Sequence, residues 1–159
     1  KGSYGDRGVF LGTFGQPTCY VKDVKASSTG AQALSTGVDN QRDLNTISGD
    51  CSFLSLSSND FKLESGAYDI SFSAPDNGTA ETKAFIYNVT DATDTDIIGS
   101  IGYDTGAFTV YSKGMGRITI SSSKAFDIRQ CVAATSNGGI AYNEGRVEVY
   151  TQVKITKVR

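Results

Sequence analysis

Apolar and polar side chains alternate along most of the chain from residue 18 onward. The clearest example is the run Tyr68-Asp69-Ile70-Ser71-Phe72-Ser73-Ala74. Because successive side chains of a β-strand point to opposite faces, a period of two predicts strands with one face in a core. No segment has the 3.6-residue apolar repeat of an amphipathic helix. The pattern therefore predicts an all-β chain.

Turn-forming residues divide the chain into about ten short predicted strands. Many short strands with frequent turns are typical of an antiparallel sandwich, and of a jelly roll in particular. The first strand is predicted at about 18–25 and the last at about 146–157. In the last strand, alternation assigns two faces: Val147, Val149, Val153 and Ile155 toward the core, and Glu148, Tyr150, Gln152 and Lys154 away from it.

A turn predicted at Lys113-Gly114 affects where the loops are expected to lie. Consecutive antiparallel strands reverse direction, so loops separated by an even number of strands share an end of the sandwich. Counting strands with this turn included places the loops 91–95 and 133–145 at the same end.

The first seventeen residues differ from the rest of the chain. They are rich in Gly, contain Tyr4, Phe10 and Phe14, and lack alternation. We expect residues 1–17 to form an extended arm or connector to an upstream region, and residues 18–159 to form one jelly-roll domain. A chain of this size buries about 68–70% of the surface that it exposes when unfolded, so we expect its core to need no metal or disulfide.

Charge and composition exclude several classes of function. Fifteen Lys and Arg against seventeen Asp and Glu give a net charge of −2, and the cations are scattered. Nucleic-acid binding requires clustered cations, so we expect none. No apolar run approaches the roughly 20 residues that span a bilayer, so we expect no membrane insertion.

Catalytic chemistry is also disfavoured. The chain contains no His, which excludes Ser-His-Asp and Cys-His nucleophiles as well as histidine-ligated zinc. Paired carboxylates could hydrolyse glycosides in a cleft, but the acids occur mainly at predicted turns and strand ends. We therefore expect no enzymatic activity, no metal and no cofactor.

Three cysteines are present, at Cys19, Cys51 and Cys131, without the spacing of a metal site. We interpret them as buried free thiols of a protein assembled in a reducing cytoplasm. One disulfide with a spare thiol is the alternative.

A long loop has the composition of a sugar-binding surface. Asn137, Tyr142, Asn143 and Glu144 combine an aromatic face with amide and carboxylate groups in a Gly-flanked segment. Long loops of compact β domains are often functional. Asp91 and Asp94, from the loop expected at the same end, complete the predicted ligand site; their spacing does not match an EF-hand calcium loop. A solvated polar loop is the alternative.

The outward side of the last predicted strand offers a candidate for subunit contact. Tyr150, with Glu148 and Gln152, is predicted to line an interface between subunits, because interfaces are enriched in aromatic residues. The alternative is a solvent-exposed Tyr with ordinary strand propensity.

Five segments resemble the carboxy-terminal domains of bacteriophage tail fibres and spikes. They are Arg42-Asp43-Leu44-Asn45-Thr46, Phe53-Leu54-Ser55-Leu56-Ser57-Ser58-Asn59-Asp60-Phe61, Ser65-Gly66-Ala67-Tyr68-Asp69-Ile70-Ser71-Phe72-Ser73-Ala74-Pro75, Ile86-Tyr87-Asn88-Val89-Thr90-Asp91 and Glu148-Val149-Tyr150-Thr151-Gln152-Val153-Lys154-Ile155. The resemblance covers about residues 18–158. It implies a jelly roll like those of tumour necrosis factor and the complement globular head, assembled as a homotrimer.

The resemblance also implies a place on a virion, after assembly in the host bacterial cytoplasm. Its partners would be further copies of the chain, upstream fibre or spike proteins and other virion proteins. The favoured function is non-enzymatic attachment of a tail fibre or spike tip to a host receptor, a surface polysaccharide. The alternative is a structural role, as a head-fibre or capsid-decoration domain or as a trimerisation cap.

Overall fold

The structure, a computed structural model, describes residues 15–78, 80–105 and 108–158. In these ranges there are fourteen strands, and no helix is present that could cross a membrane. Ten strands have four residues or more: β1 (Thr18–Lys25), β4 (Thr46–Gly49), β5 (Leu54–Ser57), β6 (Asp60–Leu63), β7 (Gly66–Asp76), β8 (Glu81–Asn88), β9 (Thr93–Ile98), β11 (Val110–Ile120), β12 (Lys124–Val132) and β14 (Glu148–Val158). The others have two residues: β2 (Ala33–Leu34), β3 (Asn40–Gln41), β10 (Gly102–Tyr103) and β13 (Ser136–Asn137). Residues 1–14 lie outside the described ranges, so the arm stays a prediction.

Two antiparallel sheets make up the sandwich. The first has five strands in the order β11-β7-β14-β1-β4. The second has seven, in the order β10-β8-β12-β6-β5, with β9 also pairing with β8 and β3 with β12. Strands β2 and β13 form a separate pair. Because the chain crosses repeatedly between the sheets, the predicted all-β, antiparallel jelly roll of about ten strands is confirmed.

The core lies between the two sheets. From β7 of the first sheet, Tyr68, Ile70 and Phe72 are buried, as their alternation predicts. The second sheet contributes Ile86 and Ile128, also buried. Each large apolar side chain removed from water in this way contributes about 1.5–3 kcal/mol.

Strand β11 is continuous where a turn was predicted. Gly114 lies within it, because its missing side chain makes room for Phe72; a Cβ at Gly114 would be 2.5 Å from the ring. Gly116 is packed in the same way against Ile97, at 2.8 Å. The turn prediction at Lys113-Gly114 is therefore wrong, since close packing across the core requires these glycines.

The continuous strand changes which loops share an end. Thr82 pairs with Val132 at one end of β8, and Asn88 pairs with Phe126 at the other. Residues 77–78 and 80–81 and the segment 133–147 therefore lie at one end, which we name the apical end. The segment 89–92 lies at the opposite, basal end, where Thr18 and Thr156 pair. The prediction that 91–95 and 133–145 lie together is wrong.

A bulge changes the faces of the last strand. On one side of it Lys22 pairs with Gln152, and on the other Val24 pairs with Val149. Two residues of β14, Tyr150 and Thr151, therefore stand opposite a single residue of β1, and the alternation is shifted by one position.

This shift overturns part of the face assignment. Tyr150, which was predicted to face outward, is only 5% exposed. Val147 and Val149, which were predicted to face the core, are exposed.

The structure contains one disulfide, between Cys19 and Cys51. Cys19 lies opposite Gly49 in the β1–β4 pair, so the chain that follows β4 returns beside it. The two Cα atoms are 4.8 Å apart, within the range that a disulfide spans. Cys131 is free and exposed. The prediction of three buried thiols is wrong, and the alternative of one disulfide with a spare thiol describes the chain.

Candidate functional site

The first part of the predicted ligand loop is held in place at the apical end. Asn137 lies in β13, and its carbonyl accepts a hydrogen bond from the Asn77 amide at 2.7 Å. The Gly138 amide donates to the Gln32 carbonyl at 2.8 Å. Gly139 has a φ of +142°, and a Cβ there would lie 2.4 Å from the Tyr150 ring. This part of the loop is therefore held in place by hydrogen bonds and by packing against Tyr150.

Arg42 fixes the same segment from inside. Its side chain is fully buried, and its Nε donates to Thr151 Oγ1 at 2.9 Å. Its Nη2 donates to the Gly138 carbonyl at 2.9 Å. Burial lowers the pKa of Arg42 to about 10, against the attraction of nearby carboxylates, so the guanidinium remains charged at neutral pH. A fixed charge and a fixed backbone thus define the base of the loop.

The tip of the loop is exposed. Tyr142 is 72% exposed, and Asn143 and Glu144 are also exposed. Glu148 supports the tip from below, because its Oε1 accepts hydrogen bonds from the amides of Tyr142, at 3.1 Å, and Ser28, at 3.3 Å. The structure therefore presents an aromatic ring, an amide and a carboxylate on a supported loop.

The two aspartates predicted to complete this site lie elsewhere. Asp91, at the basal end, accepts a hydrogen bond from Asn88 Nδ2 at 2.8 Å and pairs with the Lys124 ammonium. The hydrogen bond from Lys124 lowers the pKa of Asp91. Asp94 is in β9, opposite Tyr87 near the same end. Since β8 spans about 20 Å between the two ends, the six predicted ligand residues do not form one site.

A second candidate surface is the side of the five-stranded sheet that faces away from the core. We name this side the open face. The register of β11, β7, β14 and β1 arranges its side chains in rows across the strands. One row contains Met115, Ser71, Lys154 and Tyr20, and the next contains Lys113, Ser73, Gln152 and Lys22.

Apolar groups are exposed on the open face. Met115 is 82% exposed and Tyr20 is 40% exposed. Toward the apical end, Tyr111 and Val149 are exposed on the strands of the same sheet. Toward the basal end, Arg117 donates two hydrogen bonds to Asp69, at 2.7 and 2.8 Å. The face therefore combines exposed apolar groups with a charged margin.

The three residues predicted to line a subunit contact are separated by the structure. Gln152 is exposed on the open face. Glu148 supports the apical loop, as described above. Tyr150 points inward, where its hydroxyl donates to the Thr29 carbonyl at 2.8 Å and burial raises its pKa. The placement of Tyr150 at an outward contact is therefore wrong, because the bulge in β14 turns it toward the core.

The two candidate surfaces present groups that suit non-covalent contacts. Within residues 15–78, 80–105 and 108–158, no group of three or more His, Cys, Asp and Glu side chains is placed to hold a metal ion. The residues on the open face and at the apical tip carry aromatic, apolar, hydroxyl, amide and charged groups. Sequence analysis missed Met115, Tyr20 and Lys113.

The chain is similar in structure to jelly-roll domains of known proteins. The globular domain of zebrafish complement 1qA protein superposes with a TM-score of 0.55 at 13% identity, covering 91% of this chain and 98% of that one. Murine APRIL at pH 5.0 gives 0.55 at 7% identity, covering 90% and 99%. Eiger TNF from S. frugiperda gives 0.57 at 8% identity, covering 91% and 94%. No protein-family model and no curated protein sequence matches the chain. The superpositions show a shared fold, and at identities this low they show the fold alone.

Proposed function

We propose that this chain is a non-enzymatic, homotrimeric domain of a bacteriophage virion appendage, a tail fibre or spike tip. In this proposal the trimer attaches the virion to a polysaccharide on the host surface. The sequence resemblance to phage fibre and spike domains supports the place on a virion. The jelly-roll fold agrees with what that resemblance implies. Outside the cell, a virion protein meets the oxidising conditions in which a disulfide such as Cys19–Cys51 persists.

The observation that carries the proposal is the open face. Met115 is 82% exposed there, and Tyr20, Tyr111 and Val149 are exposed on the same sheet. Exposed apolar groups surrounded by polar side chains are typical of protein–protein contacts. A second copy of the chain covers this face in the proposed trimer, and threefold repetition closes the assembly.

The apical tip is the proposed attachment site. It lies at the opposite end from the pairing of Thr18 with Thr156, so a domain joined through residue 17 presents the tip outward. Tyr142 offers a ring for stacking on a sugar, and Asn143 and Glu144 offer hydrogen-bonding groups. Three tips on one axis bind jointly, so a weak contact at each one is sufficient.

Binding to polysaccharides tests the proposal. We expect the purified chain to be a trimer by light scattering and to bind a bacterial surface polysaccharide on an array. Tyr142→Ala should weaken that binding by about tenfold or more, because aromatic anchors dominate such contacts. Asp94→Asn, far from the tip, is the matched control and should leave binding unchanged.

Two results contradict attachment. Binding that is unaffected by Tyr142→Ala but lost with Asp94→Asn would move the site to the basal end. A trimer that binds no polysaccharide, and that neither adsorbs to host cells nor blocks infection, would instead support a structural head-fibre, decoration or trimerisation role.

A further inference from the structure

Three lysines on the open face have no carboxylate partner. Lys22, Lys113 and Lys154 project from β1, β11 and β14, and none of them forms an ion pair with another described residue. The aspartate on this face, Asp69, is already engaged by both hydrogen bonds from Arg117. The open face therefore carries surplus positive charge, although the whole chain has a net charge of −2.

Two of these lysines border a cleft with unused hydrogen-bond donors. The cleft has a volume of about 380 Å³. Its polar lining is Lys113, Lys154, Ser71, Ser73 and Gln152, and its other lining residues include Tyr20 and Met115. In the described part of the chain, the two serine hydroxyls and the Gln152 amide have no hydrogen-bond partner. No described carboxylate lines the cleft. Ammonium, hydroxyl and amide donors together suit the oxygens of a tetrahedral oxyanion.

The surplus positive charge of the open face becomes unfavourable when a trimer forms. This step rests on the proposed function. A second copy that covers the open face removes the ammonium groups from water, and an unpaired charge removed from water destabilises the assembly. An anion bound between the lysines removes that penalty. We propose that the trimer binds a small multivalent oxyanion, of the phosphate or sulfate class, in this cleft through Lys113, Lys154, Ser71 and Ser73.

Carboxylates of a neighbouring copy are the competing explanation. Asp94 and Asp96 are exposed in β9, and in the described ranges neither has an ion-pair partner. If these groups met the lysines across the interface, the cleft would need no ion.

The test measures trimer association by sedimentation equilibrium in chloride, phosphate and sulfate at matched ionic strength. At an anion concentration near ten times its dissociation constant, we expect association to be about tenfold tighter than in chloride for each occupied cleft of the trimer. The paired change Lys113→Gln and Lys154→Gln should abolish the difference and leave the trimer in chloride at least as stable. Lys62→Gln with Lys83→Gln is the matched control, because these lysines lie on the other sheet and should retain the anion effect.

The possible outcomes separate the explanations. A trimer that associates equally in phosphate and chloride overturns the anion site while leaving the proposed function intact. A trimer that ignores phosphate but dissociates with Asp94→Asn and Asp96→Asn assigns the pairing to neighbouring carboxylates. A monomer in every buffer overturns both the trimer and the anion site. A sulfated oligosaccharide distinguishes a free ion from a sugar substituent, since only the free ion fits a cleft closed by other copies.

Discussion

At the scale of single residues, Arg42 organises the apical end. Its backbone amide donates to the Ile128 carbonyl at 2.7 Å, while its guanidinium reaches Thr151 and Gly138. Nη1 of Arg42 and Oδ2 of Asp23 are buried and have no hydrogen-bond partner among the described residues. Such a charge network is costly to bury, but removing one member leaves its partners uncompensated, typically at about 3–5 kcal/mol. The base of the loop that carries Tyr142 therefore depends on the buried Arg42 side chain, while Glu148 supports the tip.

Gly138→Ala should weaken this support. A Cβ at Gly138 would lie 2.1 Å from Arg42 Nη1, and the guanidinium cannot withdraw without losing its hydrogen bonds. We expect the free energy of unfolding to fall by about 1–3 kcal/mol, as for an overpacked core, in urea denaturation monitored by circular dichroism. Gly30→Ala is the control, because its nearest neighbour would be an ordinary 3.6 Å away. Equal stability of the two variants would contradict the close packing of Arg42.

At the scale of elements, the disulfide connects β1 to the segment after β4. Strand β4 is at the edge of its sheet and pairs with β1 alone, so the bond secures a strand with one neighbour. Replacing Cys19 and Cys51 by Ala should lower the free energy of unfolding by about 3–4 kcal/mol, given the 32-residue separation. Cys131→Ser, at the free exposed thiol, should change stability little. A thiol assay on the unfolded chain that finds three reactive groups would contradict the pairing.

A buried and a half-buried carboxylate of the second sheet, Asp127 and Asp60, make stability depend on pH. Gln41 Nε2 donates to Asp60 at 2.7 Å and to Asp127 at 3.1 Å, and burial raises the pKa of both carboxyls above 3.8. The folded state therefore holds these protons more tightly than the unfolded state, and this stabilisation is lost as pH rises through the folded pKa. Hydrogen bonds from Arg117 and Lys124 lower the pKa of Asp69 and Asp91, whose contribution is lost only as pH falls below 3.8.

We therefore expect a higher melting temperature at about pH 5 than at neutral pH. Asp127→Asn removes one of the two carboxyls with a raised pKa. In calorimetric scans it should therefore reduce the difference in melting temperature between about pH 5 and neutral pH. Asp69→Asn removes a contribution that is equally present at both pH values, so it should leave the difference between them unchanged. A melting temperature that rises steadily from about pH 5 to neutral pH would contradict the raised pKa of Asp60 and Asp127.

The same scale explains what the sequence could predict. In β7, every core-facing position from Tyr68 to Ala74 is apolar, so alternation predicts the strand and its faces correctly. In β11, the positions that pack on Phe72 and Ile97 are glycines. Glycine in a sequence suggests a turn, but here it allows close packing. In β14, a bulge changes the faces at Tyr150, and a bulge depends on the register with the neighbouring strand. Period and composition thus define the fold class, while pairing across strands determines the site.

The candidate site was only partly predictable for the same reason. Tyr142 and Asn143 could be found from the composition of their loop. Whether Asp91 lies at the same end of the sandwich as that loop depends on the number of strands between them. One wrongly predicted turn changes that number by one and moves Asp91 to the opposite end. Met115 could not be found, because the glycines on either side of it conceal the alternation of β11.

At the scale of the whole molecule, the proposed function assigns different contacts to the two candidate surfaces. The open face runs along one sheet, whereas the Tyr142 tip projects from the apical end. Copies that associate through the sheet leave their tips uncovered and side by side. Self-association and attachment can therefore be disrupted separately.

Met115→Lys tests self-association through the open face. It keeps the length of the side chain but adds a cation next to Lys113 and Lys154, on a face that already carries surplus positive charge. Burying that charge in a subunit contact should weaken association by about 3 kcal/mol, roughly a hundredfold, in sedimentation equilibrium. Val38→Lys, at an exposed apolar position off the open face, is the matched control and should leave the trimer intact. Since Met115 makes no contribution to the core, both variants should keep the β-sheet circular dichroism spectrum. A trimer that survives Met115→Lys but dissociates with Val38→Lys would place the subunit contact on another surface.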